Sequence, residues 1–279
     1  MGIEMRVPAD AEQIIEKLNE HGFEAYVVGG CVRDSLLGKE PEDWDITTSA
    51  KPEEVKAIFS RTIDTGIQHG TVTVMLNRQG YEVTTYRVDG EYEDGRHPKS
   101  VDFTTSLLED LKRRDFTINA MAYNGREGLV DAFGGMEDLE NRVIRCVGSA
   151  VNRFTEDALR ILRAVRFSAQ LDFRIEDETY EAISLIAPNL EKVSKERIAT
   201  ELTKLLLSGH PEKMKRVSDT GASRYISEPF FKAAVLSKGE LRPLGCLPAV
   251  KYMRWAGFLR REQGETAADI LRDLKMDCD

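Results

Sequence analysis

The 279-residue chain carries 39 Lys and Arg against 48 Asp and Glu, a formal net charge of −9, and 41% of it is apolar. That is the balance of an ordinary globular protein, long enough to bury a core in two or more domains. It excludes a surface coated in basic charge for nucleic acid, but not a local basic groove. Lys and Arg concentrate at 112–114, 153–174 and 192–204, where any polyanion site is expected. Cys31, Cys146, Cys246 and Cys278 lack CxxC spacing and the four histidines are dispersed, so neither zinc nor a disulfide framework is implied. No apolar run approaches a membrane span, and the N-terminal MGIEMRVPADAE lacks the basic and apolar regions of a signal peptide. A cytoplasmic location without a membrane partner is expected.

The opening stretch, 8–22, reads as a helix with Ile14, Ile15 and Leu18 at helical spacing and Gly22 as its stop. Residues 25–48, AYVVGGCVRDSLLGKEPEDWDITT, read as strand, glycine turn, short helix and second strand. Gly29 and Gly30 would let backbone approach a phosphate, and the helix after them would aim its first N–H groups at it. Asp43 and Asp45 are two apart, so on a strand both carboxylates face one side. Two hard oxygen ligands on one face suit Mg²⁺ that also binds nucleotide phosphates. Taken singly, the Gly-Gly pair reads equally as a plain turn, and the Asp-x-Asp as a solvated strand edge. Their combination across one short helix is more specific.

Further along, 51–60 reads as a helix with Pro52 in its first turn. Residues 71–76 and 81–87 alternate around 77–80 as a hairpin. The segment 89–98, DGEYEDGRHP, is polar and aperiodic, a mobile loop, after which 101–104 returns as a strand. A helical pattern runs from Leu107 through Ala122. On it Asp115 and Asn119 share a face, and Arg114 adds a fork suited to phosphate or ribose oxygens. An isolated RRD would be a solvated helix start. A short strand at 129–130, a turn at Gly134–Gly135 and a sheet-closing strand at 142–147 complete a mixed α/β region.

Beyond Gly148 the pattern is helical at 150–171, 176–186, 194–207, 251–260 and 266–275. In the first of these, Ala158, Leu162, Val165 and Ala169 form an apolar stripe, while Asp157, Arg160 and Arg163 recur along another face. The latter read as i,i+3 salt bridges on a solvated helix. A carboxylate beside a guanidinium also offers an acceptor and a fork of donors that can pair with the Watson–Crick edge of a base. Ser194 reads as an N-cap, and Arg197 with Glu201 as an i,i+4 pair.

These motifs, in order GGxxRD, DWD, YEVTTYR, RRDFTINAMAY, VDAFGGMEDL and EDALR, resemble the class II tRNA nucleotidyltransferase and bacterial poly(A) polymerase family over nearly all of 25–207. The resemblance implies an α/β nucleotidyltransferase head with a mixed sheet and helices (1–148). An all-α neck with a nucleotide-selecting helix (149–210) and a partial helical body (211–279) would follow. Because LRDLKMDCD resembles the middle of that body, the chain is expected to be truncated, as a fragment or a short form, without a tail. The resemblance implies that Asp43 and Asp45 hold Mg²⁺ with Glu82 as a third carboxylate, and that Gly29, Gly30 and Arg33 bind the triphosphate. Arg114, Asp115 and Asn119 would recognise the ribose. Asp157 and Arg160, with Glu156 completing the motif, would read C or A in place of a nucleic-acid template. Arg163 and Arg166 would contact phosphate or support that pair, the 192–207 helix would brace it, and Gly134–Gly135 would be a hinge. Residues 62–75 resemble the CCA-adding branch, and 87–103 the flexible loop of enzymes that add the terminal A. The implied activity is template-independent addition of C, C and A to tRNA 3′ ends from CTP and ATP, releasing pyrophosphate, with no protein partner. An A-adding or poly(A) polymerase of the same family, or an inactive tRNA-binding fragment, remain alternatives.

Overall fold

A computed structural model describes residues 4–90, 101–237 and 241–276. Within them the chain divides into two compact units, 4–90 with 101–141, and 142 onward. Most of the segment expected to be a mobile loop, from 91 to 98, lies outside the described residues.

The first unit is built on a seven-stranded sheet. Its strands are β1 (Ala25–Val28), β2 (Ile46–Thr48), β3 (Thr62–Gly66), β4 (Thr71–Leu76), β5 (Gln79–Thr85), β8 (Met121–Asn124) and β9 (Gly128–Asp131), and β6 (Arg87–Asp89) and β7 (Val101–Phe103) pair separately. The order across the sheet is β3-β4-β5-β2-β1-β8-β9. Only β2 and β5 run parallel, Ile46 opposite Val83; the other neighbours are antiparallel. All four residues of the central β1 are buried, the continuous apolar run of a strand covered on both faces. The β4–β5 hairpin turns on Asn77 and Arg78, both with positive φ (48° and 69°), as a two-residue turn matched to strand twist requires. Around the sheet lie α1 (Ala9–Glu20), α2 (Gly30–Leu36), α3 (Pro52–Ile58), α4 (Leu107–Lys112) and α5 (Gly135–Glu140). The α1 helix buries Ala11, Ile14, Ile15 and Leu18. Tyr26, Val28, Tyr86, Leu111 and Ala122 form a core cluster on which Leu107, Val130 and Phe133 pack.

Two expectations are corrected here. The helix expected over 107–122 stops at Lys112; the Asp115 carboxylate takes the Phe116 N–H (2.8 Å), a side-chain bond that competes with the helical ladder. A 3₁₀ turn at Thr117–Asn119 follows, and Met121 onward pairs with β1 as β8. Residues 142–147 do not close the sheet: Arg142 turns the chain with φ 57°, and β10 (Val143–Ile144) pairs in parallel with β11 (Arg174–Ile175) in the second unit. Of the Gly134–Gly135 pair expected to be a hinge, Gly134 (φ 77°) has open space around it and Gly135 is tightly packed. A Cβ on Gly135 would stand 2.5 Å from the Thr117 carbonyl oxygen and 2.8 Å from Met121 Cγ. The Gly135 and Met136 N–H groups donate to the two Asp131 carboxylate oxygens (2.8 and 2.9 Å), and Thr117 Oγ1 donates to buried Asp138 (2.6 Å).

The second unit is helical apart from the β10–β11 pair. It comprises α6 (Ala150–Glu156), α7 (Leu159–Leu171), α8 (Asp177–Ile186), α9 (Lys195–Leu206), α10 (Lys215–Asp219), α11 (Glu228–Ser237), α12 (Lys251–Phe258) and α13 (Gly264–Asp273), with short 3₁₀ turns between. The expected single helix over 150–171 is two. Asp157 has extended backbone (φ −144°, ψ 103°), and its Oδ1 accepts from the Leu159 N–H (3.0 Å) to cap α7. The apolar stripe holds: Ala158, Leu162, Val165 and Ala169 are all buried. Phe230, Trp255 and Phe258 form an aromatic cluster, with Trp255 Nε1 donating to Thr203 Oγ1 (3.0 Å). No helix among the described residues is long and apolar enough to cross a membrane.

The joint at Gly135 can be tested. Gly135→Ala should destabilise the protein by about 1–3 kcal/mol, because the opposing carbonyl is fixed by the turn and cannot yield. At Gly125, where a Cβ meets nothing, the same substitution should change stability by less than about 0.5 kcal/mol. Urea midpoints of the two variants measure the difference.

Candidate active site

The ladder between β1 and β2 ends where the Val28 N–H donates to the Asp45 carbonyl (3.0 Å). Past that bond Gly29 (φ 83°, ψ −126°) turns the first chain away into α2, and β2 begins only at Ile46. Asp43 and Asp45 therefore stand just before β2 and not on it, which corrects the sequence reading. They still share one cleft of about 330 Å³ with Trp44, Thr73, Gln79, Gly80, Tyr81 and Glu82. Glu82 lies on β5 opposite Thr73 of β4 and is exposed. Asp45 reaches solvent, but crowding of its carboxyl by protein, then the charges of Glu82 and Asp43, push its pKa up, with Arg114 partly offsetting them. Three carboxylates thus line one cleft, two of them raising the cost of ionising Asp45, and carboxylate oxygens are donors that suit a hard divalent cation. Among the described residues no three or more His, Cys, Asp or Glu side chains form a ready-made metal cage.

Beside the cleft, the Gly29 turn is closed over by Arg114. A Cβ on Gly29 would stand 3.0 Å from Arg114 Nη1, and it is the backbone conformation (φ 83°) that calls for glycine. Gly30, by contrast, has only an ordinary contact with Arg33 Nη2 (3.6 Å). Arg33 is buried, and its guanidinium already grips protein. Nε and Nη2 donate to the two Asp34 oxygens (2.9 Å each), and Nη1 donates to Asn119 Oδ1 (2.6 Å). Asn119 Nδ2 in turn donates to Asp115 Oδ1 (3.1 Å). Asp115 and Asn119 do come together, through a bend and a 3₁₀ turn and not across the helix face that their spacing suggested. Arg114 Nε is buried with no hydrogen-bond partner, an unmet donor pointing to a ligand.

The sequence reading missed Asp110. It lies on α4, has no exposed surface, and binds Arg113, Arg114, Thr47 and the Arg87 backbone. Its spacing of three and four from the two arginines was a visible signal; its burial was not.

In the second unit the expected pairings are exchanged. Asp157 does not pair with Arg160: its Oδ2 accepts from Arg197 Nη2 (2.7 Å). Arg160 Nη1 turns back to Glu156 Oε2 (2.6 Å) and the Arg153 carbonyl (3.1 Å). Arg197 and Glu201 do not pair with each other either. Buried Glu201 accepts from Arg166 Nε (2.5 Å), with Arg163 Nη1 at 3.9 Å. Arg166 also donates to Gln170 (2.7 Å) and stacks on Phe167, 4.0 Å from the ring centroid. The cause is the break at 157: an extended residue ahead of α7 aims its carboxylate off the helix, where α9 supplies the cation. Arg197 Nη1 is buried and unpartnered. Ser194 occupies the N-cap position of α9 without a side-chain cap bond.

A family model described as "Poly A polymerase head domain" matches residues 25–145, and one described as "Probable RNA and SrmB- binding site of polymerase A" matches 172–234. A CCA-adding enzyme of Leuconostoc mesenteroides is 57% identical over 198 residues, covering 71% of this chain and 49% of that protein. The chain spans about half the length of the curated relatives it matches. The crystal structure of the Bacillus stearothermophilus CCA-adding enzyme in complex with CTP superposes with a TM-score of 0.85 at 40% identity, covering 98% of this chain and 67% of that one. The Thermotoga maritima CCA-adding enzyme complexed with tRNA gives a TM-score of 0.71 at 26% identity over 98% of this chain and 68% of the other. With the acidic cleft, the glycine turn and the RRDFTINAMAY turn all in place, the chain belongs to the class II tRNA nucleotidyltransferase and bacterial poly(A) polymerase family.

Proposed function

We propose that this chain is a cytoplasmic, template-independent RNA nucleotidyltransferase that adds C, C and A to tRNA 3′ ends from CTP and ATP, releasing pyrophosphate, with Mg²⁺ as its cation. Residues 1–148 would act as the catalytic head, 149–210 as the nucleotide-selecting neck and 211–279 as part of a helical body. The observation that carries this reading is the cleft shared by Asp43, Asp45 and Glu82 beside the Arg114-covered Gly29 turn. The CCA-adding relatives support the choice of tRNA and of these two nucleotides.

In this reading Asp43 and Asp45 hold the cation, and Glu82 adds the third carboxylate of the cleft. A divalent cation bound there supplies the charge that acidifies an attacking hydroxyl and neutralises a leaving pyrophosphate. Gly29 and Gly30 bring backbone to the triphosphate, and Arg33 shapes that cradle through its bond to Asn119. Arg114 and Asp115 contact the ribose, the unmet Arg114 Nε–H being the donor available for it. Asp157 and Arg160 read the base, Asp157 as acceptor for an exocyclic amine and Arg160 as donor to ring acceptors. Arg197 and Glu156 hold them. Arg163 and Arg166 support phosphate and the reading pair from α7. Catalysis is then mainly positioning and charge neutralisation.

The direct test offers the chain tRNA lacking CCA, tRNA ending in C-C, and each NTP singly, in single turnover at high tRNA concentration. C addition to the first and A addition to the second are expected. Incorporation of A alone would mean an A-adding enzyme, and no incorporation a tRNA-binding fragment. Asp43→Ala and Asp45→Ala should each lower both additions by more than the roughly 10–100-fold typical of residues supporting a metal site from outside. Substantial activity in either would remove the metal reading.

Asp45 also makes a pH prediction. Its folded pKa lies above the ordinary carboxylate value, so the native state holds its proton to higher pH than the unfolded chain does. The resulting penalty on stability is absent below the ordinary pKa, grows as pH rises toward the folded pKa, and is complete above it. Asp45→Asn should therefore have a higher Tm than the parent at pH 7, by a margin that closes as pH falls toward about 4. Millimolar Mg²⁺ should raise the parent's Tm and narrow the same margin. Calorimetry at both pH values checks the sign.

For base selection, Asp157→Ala should relax discrimination against UTP and GTP by up to about 1–3 kcal/mol, the cost of a group left unpaired. Arg163→Ala should weaken all four NTPs alike. If Asp157→Ala lowered kcat/KM for every NTP by one common factor, Asp157 would not be reading the base.

A further inference from the structure

Asp110 carries a full charge with no exposed surface. A buried ion costs several kcal/mol unless it is paired and hydrogen-bonded, so its partners must repay its burial. Oδ1 accepts from Arg113 Nε (3.0 Å), Arg113 Nη2 (2.9 Å) and the Arg87 N–H at the start of β6 (3.3 Å). Oδ2 accepts from Thr47 Oγ1 on β2 (3.1 Å) and from Arg114 Nη2 (3.4 Å). Burial alone would raise the pKa of this carboxyl, but Arg113 and Arg114 outweigh it and hold it below the usual range. Three elements, α4, β2 and β6, thus meet at one carboxylate, and Thr47 and Arg114 share one of its oxygens.

The far side of Arg114 is what this grip controls. Nη1 stands 3.0 Å from where a Gly29 Cβ would be, Nε is buried without a partner, and the guanidinium is the cation that partly offsets the charge on Asp45. The bond from Nη2 to Asp110 is the one that ties this guanidinium to the protein among the described contacts, so without it the long side chain would lose this placement to its own rotamer freedom.

We propose that Asp110 is a positioning residue: by fixing Arg114 from β2 and β6 it presents the buried Arg114 Nε–H to the ribose of the incoming nucleotide. This rests on the ribose role proposed above for Arg114, and the experiment separates the two.

Equilibrium binding of CTP and dCTP with Mg²⁺ is measured by calorimetry for the 279-residue chain, Arg114→Ala, Asp110→Asn and the double variant. In parallel, the Arg114 Nε–H resonance is followed by NMR without nucleotide. Asp110→Asn should lower the preference for CTP over dCTP by roughly tenfold or more, the worth of one hydrogen bond to a charged group. Arg114→Ala should do the same, and the double variant no more than either, because both remove one interaction. The Arg114 Nε–H signal should shift and exchange faster in Asp110→Asn. Thr47→Val, which keeps the charge and suits a strand, should move both readouts in the same direction by less, and carries the test if Asp110→Asn fails to fold. An unchanged preference and an unchanged resonance in a folded Asp110→Asn, or additive losses in the double variant, would overturn the proposal. If Arg114→Ala kept the preference while the resonance still shifted in Asp110→Asn, the ribose reading would fail and the positioning would stand.

Discussion

The last hydrogen bond of the β1–β2 ladder, from Val28 N–H to the Asp45 carbonyl, is the constraint from which the first unit's chemistry follows. It fixes the point at which two neighbouring chains part. One leaves through Gly29 into α2, and the other arrives carrying Asp43 and Asp45. Because both lie at the same end of neighbouring strands, the glycine turn and the carboxylates are neighbours without needing a side chain to join them. The parallel pairing of β2 with β5 then brings Glu82 to the same end from the other side of β2. A cation site and a backbone cradle thus arise from sheet topology.

Charge distribution separates the two units. In the first, carboxylates are left facing one another and one arginine, Arg114, is drawn toward them while anchored on a buried acid behind. That is an electrostatic imbalance which a bound cation and phosphates would relieve. In the second, the arginines of α7 and α9 are compensated by Glu156, Asp157 and Glu201. Such pairs cost desolvation and return it as fixed geometry, a reasonable exchange where the task is to hold donors and acceptors in one arrangement.

Most of the architecture was legible in the sequence because it rests on local signals. Apolar periodicity marked α1, α7 and α9, the alternation around Asn77 marked the β4–β5 hairpin, and the motifs identified the acidic cleft. What escaped notice depended on partners far along the chain. Helical spacing suggested Asp115 with Asn119 on one helix face, Asp157 with Arg160, and Arg197 with Glu201. The first pair meets through a 3₁₀ turn, and the other two exchange partners between helices. A pattern of i and i+4 sees only one helix, and an aspartate that caps its own helix leaves that pattern altogether. Asp110 was overlooked for a related reason: on a polar stretch next to two arginines, nothing local distinguishes a solvated carboxylate from a buried one.

The bond between Arg33 and Asn119 joins residues 86 positions apart in the chain. β1 likewise gains its second neighbour only when β8 has formed. During synthesis the glycine turn and the acidic pair therefore leave the ribosome long before the segment that secures them. The nascent head holds five of the sheet's seven strands, with one side of β1 unpaired, until residues 121–124 emerge. Its folding should be dominated by this late, non-local closure, and the interval before it is when the chain most needs protection from pairing with another copy.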